Sequence, residues 1–212
     1  TSAIQSEWQN HYGFVTWWGH GSETGAYRRI WTSDSNGDNI TQQPGETTDT
    51  AFWTNSNCSS LSDAYPSFVV QVSCSNGHPE NSGNLGYSLL QNGAIGTFSA
   101  SRLSMYALGS WSTSMGANYG DNASYGYYVV QHMVESSQKA GEALNSCKRS
   151  FGVQYWGWAS WINFLDFNLY GDPSVSQVPT QGGNICNETN FPDAGFRSAV
   201  ESFMGGTSFT VE

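Results

Sequence analysis

Phe14-Val15-Thr16-Trp17-Trp18-Gly19-His20-Gly21-Ser22 is a β-branched and aromatic run that stops at glycine and is followed at once by a histidine. Such residues suit a pleated, buried surface, and the glycines permit a sharp change of direction. A second run, Phe68-Val69-Val70-Gln71-Val72-Ser73, ends as abruptly at Cys74-Ser75-Asn76-Gly77. Its nearly unbroken apolar character is that of a strand covered on both faces. Between the two lies a long polar stretch, residues 21–64, rich in Asn, Ser, Thr and Gly. Past the second strand, residues 84–91 are predicted as a short helix with Leu85, Leu89 and Leu90 on one face, closed by Asn92-Gly93. Ala94-Ile95-Gly96-Thr97-Phe98 then forms a third strand. Strand, helix, strand with brief links is the pattern of a parallel α/β sheet. Further helices are expected over about 124–135 and 141–149. Another is expected on Trp158, Trp161, Ile162, Leu165 and Leu169, stopped by Gly171-Asp172-Pro173.

In an open parallel sheet, ligands bind beyond the carboxyl ends of the strands. His20 and Cys74 each follow a hydrophobic strand there. Imidazole exchanges protons near neutral pH, and a cysteine thiolate is a strong nucleophile. If the two strands are neighbours, both side chains project over one edge, as a Cys–His peptidase needs. Gly21 lacks a Cβ, so its N–H can approach a substrate carbonyl and, with the Cys74 N–H, hold an oxyanion. Taken singly, a cysteine after a buried strand reads as a small hydrophobe and a lone histidine as a packing residue; the pairing is what points to chemistry. His78 is a second candidate base, but it shares the Cys74 loop and precedes Pro79, which makes it hard to aim back at the thiol. His11 and His132 read as structural.

These stretches resemble the gingipain-like family of cysteine peptidases, relatives of caspases, legumains and clostripain. The resemblance continues through Leu89-Leu90-Gln91-Asn92-Gly93-Ala94-Ile95-Gly96-Thr97-Phe98-Ser99-Ala100-Ser101 and Phe167-Asn168-Leu169-Tyr170-Gly171-Asp172-Pro173-Ser174. It implies a caspase-like α/β fold: a mostly parallel sheet with helices on both faces, in a peptidase domain over residues 1–175. It further implies His20 as general base or acid, Cys74 as nucleophile and Gly21 as the second oxyanion donor. Pocket walls after the third strand are expected at Ser101, Tyr106 and Trp111, where surface or core packing is the competing explanation. Caspase-like folds place one or two strands before the histidine strand, and only 13 residues precede Phe14 here. The N-terminal strands are therefore expected to be absent from this chain, replaced, or supplied by a second chain or propeptide. The acidic residue that selects basic P1 side chains in gingipains comes from that earlier part, so Arg or Lys specificity does not carry over.

Residues 176–186 read as a linker. The segment 187–212 reads as the start of a further module, since Phe191-Pro192-Asp193-Ala194-Gly195-Phe196-Arg197-Ser198-Ala199-Val200 resembles the cap preceding leucine-rich repeats in some bacterial surface proteins. Asp34-Ser35-Asn36-Gly37-Asp38-Asn39 sets oxygen ligands at alternating positions, as in the first half of a calcium loop. Asp34, Asn36 and Asp38 would be the ligands of a structural calcium; an Asx-rich turn without metal is the alternative. No cofactor is required for the chemistry. If Cys74 is a free thiol, Cys58, Cys147 and Cys186 remain, and Cys58 with Cys147 is the expected pair.

Composition bounds the function. Of 212 residues, 7 are Lys or Arg and 17 are Asp or Glu, a net charge of −10 that disfavours nucleic acid as a partner. No apolar run approaches the roughly 18–20 residues that cross a bilayer. Few charges with abundant Gly, Asn, Ser and Trp point to a secreted or cell-surface protein, and the family resemblance to a bacterial one. The chain begins at Thr1, without an initiator Met or an apolar leader, as a mature product or an excised piece would. A protein or peptide is the expected substrate. Two other classes compete: a caspase-like binding or assembly module without useful turnover, and a carbohydrate-active protein using its 9 Trp and 11 Tyr. Core packing explains Trp17, Trp18, Trp158 and Trp161 better than sugar stacking does.

Overall fold

A computed structural model describes residues 2–41, 44–107, 111–112, 120–151 and 158–177. In chain order the elements are α1 (Ser2–Trp8), β1 (Phe14–Trp18), β2 (His20–Ser22), β3 (Gly25–Trp31), β4 (Thr47–Thr54), α2 (Asn55–Cys58) and β5 (Ser67–Val72). There follow α3 (Leu85–Leu90), β6 (Ala94–Ala100), α4 (Asn122–Val134), α5 (Ala140–Ser150), α6 (Trp158–Asp166) and β7 (Phe167–Gly171). All described residues but Gln177 fall in one compact unit, Thr1–Ser176. The expected linker beyond 177, Cys186 and the module at 187–212 lie outside the described residues.

The main sheet has the order β1-β5-β6-β7, with β1, β5 and β6 parallel and β7 antiparallel. Every residue of β5 is buried, as its apolar run requires of an interior strand. Alternation along the strands divides the core into two layers. Phe68, Val70, Val72, Phe98 and Ala100 pack against Tyr125, Val129 and Met133 of α4 and Ala140, Ala143 and Cys147 of α5. Val69 and Trp17 face the opposite way, toward Leu85 and Leu89 of α3, Trp8 of α1, Trp53 of β4 and Cys58 of α2. The sheet thus carries helices on both faces. Phe98 is 1% exposed at the centre of the first layer. Phe98→Ala is expected to cost about 3–5 kcal/mol, read as a fall in the denaturant midpoint.

Local chemistry sets the helix starts: Asn84 Oδ1 accepts from Tyr87 N at 2.8 Å, and Asp121 Oδ1 from Ser124 N at 2.9 Å. Gly93, at φ +81°, turns the chain from α3 into β6.

Three expectations are corrected. The polar stretch 21–64 holds a second sheet, β2-β3-β4, antiparallel throughout. Only Gly25 and Ala26 of β3 and Trp53 of β4 are buried within it, so no apolar period marks these strands. The last helix stops at Asp166, and Leu169 lies instead in β7, where pairing with the open edge of β6 overrides the helical spacing. Within α6, Trp161 and Leu165 are exposed while Ser160, Asn163 and Asp166 are buried. Its inward face is polar because Asn163 binds backbone: Nδ2 donates to Met105 O at 2.8 Å and Gly120 O at 3.0 Å, and Oδ1 accepts from Met105 N at 2.7 Å. Finally, Cys58 and Cys147 are both free thiols, one in each core layer, separated by the sheet.

Candidate active site

The parallel register pairs Trp18 with Val72, so His20 and Cys74 each leave the sheet two residues beyond a paired position, over the same rim. Gly19 N continues the ladder onto Val72 O at 3.2 Å. The chain then turns into β2, where His20 stands opposite Tyr27. Gly21 lies directly against the Cys74 peptide: a Cβ there would sit 2.2 Å from Cys74 O and 2.8 Å from Cys74 N. Only glycine allows that approach. The Cys74 N–H donates no hydrogen bond among the described residues.

The Cys74 thiol, partly exposed, meets Ser104. Ser104 N donates to Sγ at 3.4 Å, Sγ donates to Ser104 O at 3.5 Å, and Ser104 Oγ lies 3.8 Å away. No hydrogen bond joins His20 to Cys74 among the described residues; such contacts are commonly long before substrate arrives. Burial pushes the Cys58 thiol up to about 11 and raises the Cys147 thiol further, suppressing their thiolates at neutral pH. Cys74 is the one described cysteine that solvent reaches.

Behind the rim is a buried polar network. Trp17 Nε1 donates to Ser73 Oγ at 3.1 Å, Ser73 Oγ donates to Asn76 Oδ1, and Asn76 Nδ2 donates to Ser22 O at 2.7 Å and Gly25 O at 3.0 Å. Beside His20, Arg29 and Asp49 form a bidentate pair with both contacts at 2.9 Å. Hydrogen bonding to Arg29 first, and the nearby His20 to a smaller extent, hold the Asp49 carboxyl below its ordinary range. His78 is engaged elsewhere, with Nε2 3.6 Å from Glu23 and Nδ1 3.2 Å from Glu80.

The three expected pocket residues lie differently. Tyr106 is 66% exposed. Trp111 packs its ring against Tyr127, with centroids 5.1 Å apart, and donates from Nε1 to Ser124 Oγ at 3.2 Å. Ser101 turns its hydroxyl to Asp166 Oδ1 at 2.8 Å, so that group is occupied. Among the described residues Asp166 Oδ2 is buried with no hydrogen-bond partner, and burial raises this carboxyl despite the Ser101 bond. The folded chain therefore holds this proton more tightly than the unfolded chain. Its contribution to stability is full below the unfolded value near 3.8 and is lost as pH rises through the folded value. Asp166→Asn is expected to flatten that part of the stability–pH profile, measured by thermal midpoints between pH 3 and 7.

In the 34–40 loop, Asp34 accepts from Gly37 N at 2.8 Å and Asn39 N at 3.1 Å, and Asn36 Oδ1 from Asp38 N at 3.1 Å. Asp38 Oδ1 in turn accepts from Ile40 N at 2.8 Å. Asn36 and Asp38 thus close Asx turns, and Asp34 accepts from N–H groups three and five residues on. Among the described residues no group of three or more His, Cys, Asp or Glu could hold a metal ion.

Ser104, Ser73 and Asn76 carry site geometry that the sequence reading did not assign. Asn76 stands inside the quoted Cys74 stretch, yet between Ser75 and Gly77 it reads as an ordinary turn residue.

Comparison with known proteins agrees with this architecture. The model for peptidase family C25 matches residues 1–178. Among solved structures, the chain is similar to the crystal structure of the Arg-specific cysteine proteinase gingipain R, with a TM-score of 0.55 and 14% identity. The match covers 82% of this chain and 35% of that one, so the chain spans about a third of its length. At this identity the likeness carries the fold, which is caspase-like. No curated protein matches.

Proposed function

The chain belongs to peptidase family C25, and from that premise we propose that it is a secreted or surface cysteine endopeptidase, of bacterial origin, working through His20 and Cys74. The observation that carries this reading is the parallel β1–β5 pairing with Gly21 seated on the Cys74 peptide. His20 takes the thiol proton, and the thiolate attacks the scissile carbonyl carbon. The carbonyl oxygen becomes an oxyanion facing the Gly21 and Cys74 N–H groups. As the C–N bond breaks, the imidazolium gives its proton to the leaving amine. Water, deprotonated by His20, then attacks the thioester and releases the acid and the thiol. Tyr106 and Trp111 flank the substrate path, and the Ser104 N–H beside Sγ supports the thiolate. The substrate is a protein or peptide; a second chain or propeptide would pair with the outer edge of β1.

A second reading, a peptidase-fold binding module without turnover, draws on the contact of the thiol with Ser104 rather than with His20. Incubation with a mixed peptide library, followed by mass spectrometry, separates the two. Endopeptidase activity gives internal cleavage products with a common side chain before the cut. An intact library, with folded protein and a free Cys74 thiol, overturns the peptidase reading.

A further inference from the structure

Asn76 is fully buried. Burying a carboxamide is costly unless its polar atoms are paired, and here both donors and the acceptor are used. The assignment of its nitrogen is forced, because the two groups it faces, Ser22 O and Gly25 O, can only accept. Those carbonyls belong to the pair that closes the β2–β3 turn, and Ser22 is two residues beyond His20. The acceptor oxygen is held by Ser73, itself bonded to Trp17 of β1. The Asn76 carbonyl accepts from Gly86 N of α3 at 2.8 Å. One residue therefore ties together the strand leading to His20, the hairpin that carries it, and the loop that carries Cys74.

We infer that Asn76 is a positioning residue whose side-chain amide sets the separation of His20 from Cys74; the inference rests on the dyad reading above. β2 is three residues long and pairs with β3 alone, so among the described residues no strand ladder ties its His20 end to the Cys74 loop of the main sheet. Without the amide, the half-buried Ser22 carbonyl and the buried Gly25 carbonyl lose this donor, and β2 is free to lift from the Cys74 loop. Aspartate has the same size but offers no donor and would aim a carboxylate at both carbonyls. Misplacement of a reacting group by about 1 Å costs on the order of a hundredfold in rate.

The test is a double-mutant cycle on Cys74 alkylation by chloroacetamide at pH 6, with the site identified by peptide mapping. It uses wild type, His20→Ala, Asn76→Asp and the double variant, with near-UV circular dichroism confirming the fold. In wild type, His20→Ala is expected to slow alkylation about tenfold or more, since an imidazolium on the same rim favours the thiolate. In the Asn76→Asp background the same change is expected to matter less than about twofold, and kcat to fall with KM nearly constant. A His20 effect of undiminished size in Asn76→Asp overturns the positioning role while leaving the dyad intact. A wild-type rate indifferent to His20 overturns the dyad itself, and the inference with it. Should Asn76→Asp not fold, Ser73→Ala carries the same test by unhooking Oδ1. There the His20 effect is expected to shrink about threefold, and an unchanged effect counts against the inference.

Discussion

Cys74→Ala is expected to abolish peptide cleavage while leaving the fold in place. Removing the nucleophile of an acyl-transfer enzyme costs on the order of 10⁶ in kcat, so residual turnover should fall below detection in a peptide assay. The structural cost is small, because the thiol is only partly buried and, among the described residues, hydrogen-bonds only with Ser104, through weak sulfur bonds. Cys58 and Cys147 cannot substitute for it: both are buried and their thiols are raised by that burial. The assay should therefore show loss of products with a thermal midpoint near wild type. Retained cleavage would place the chemistry elsewhere in the chain.

Gly21→Ala is the second large effect. A methyl group at this position would stand 2.2 Å from Cys74 O, 2.8 Å from Cys74 N and 2.9 Å from Ser73 Cβ. Two of the three contacts are backbone atoms, so no side chain can rotate out of the way. The histidine hairpin and the cysteine loop must separate, and the two proposed oxyanion donors move with them. Loss of one aligned donor alone costs about 10²–10³ in kcat. Overpacking adds roughly 1–3 kcal/mol of destabilisation. Kinetics of peptide hydrolysis, with thermal unfolding alongside, should show kcat lowered at least about a hundredfold in a protein that still unfolds cooperatively.

The parts of this fold that could be read from sequence are those where local preference and burial agree. β1 and β5 are mostly β-branched or aromatic, and β5 and β6 are buried almost throughout, so they announce themselves. β3 and β4 do not, because Tyr27-Arg28-Arg29-Ile30-Trp31 and Thr47-Thr48-Asp49-Thr50-Ala51 are partly or largely exposed and are held by pairing with each other. β7 misleads for a related reason: its residues fit a helix until β6 offers a ladder. In the proposed site, His20 and Cys74 stand out in the sequence because each follows a strong strand. Asn76 and Ser104 do not, since their roles come from partners 54 and 30 residues away, which no local pattern encodes.

His20, Gly21 and Cys74 are proposed to converge on one substrate carbonyl. A crystal structure of the protein alkylated by a peptidyl chloromethyl ketone tests it directly. A covalent bond from Cys74 Sγ is expected, with the former ketone oxygen about 3 Å from the N–H groups of Gly21 and Cys74 and the His20 imidazole facing the adduct. An adduct on another residue, or an oxygen turned away from both N–H groups, would contradict it.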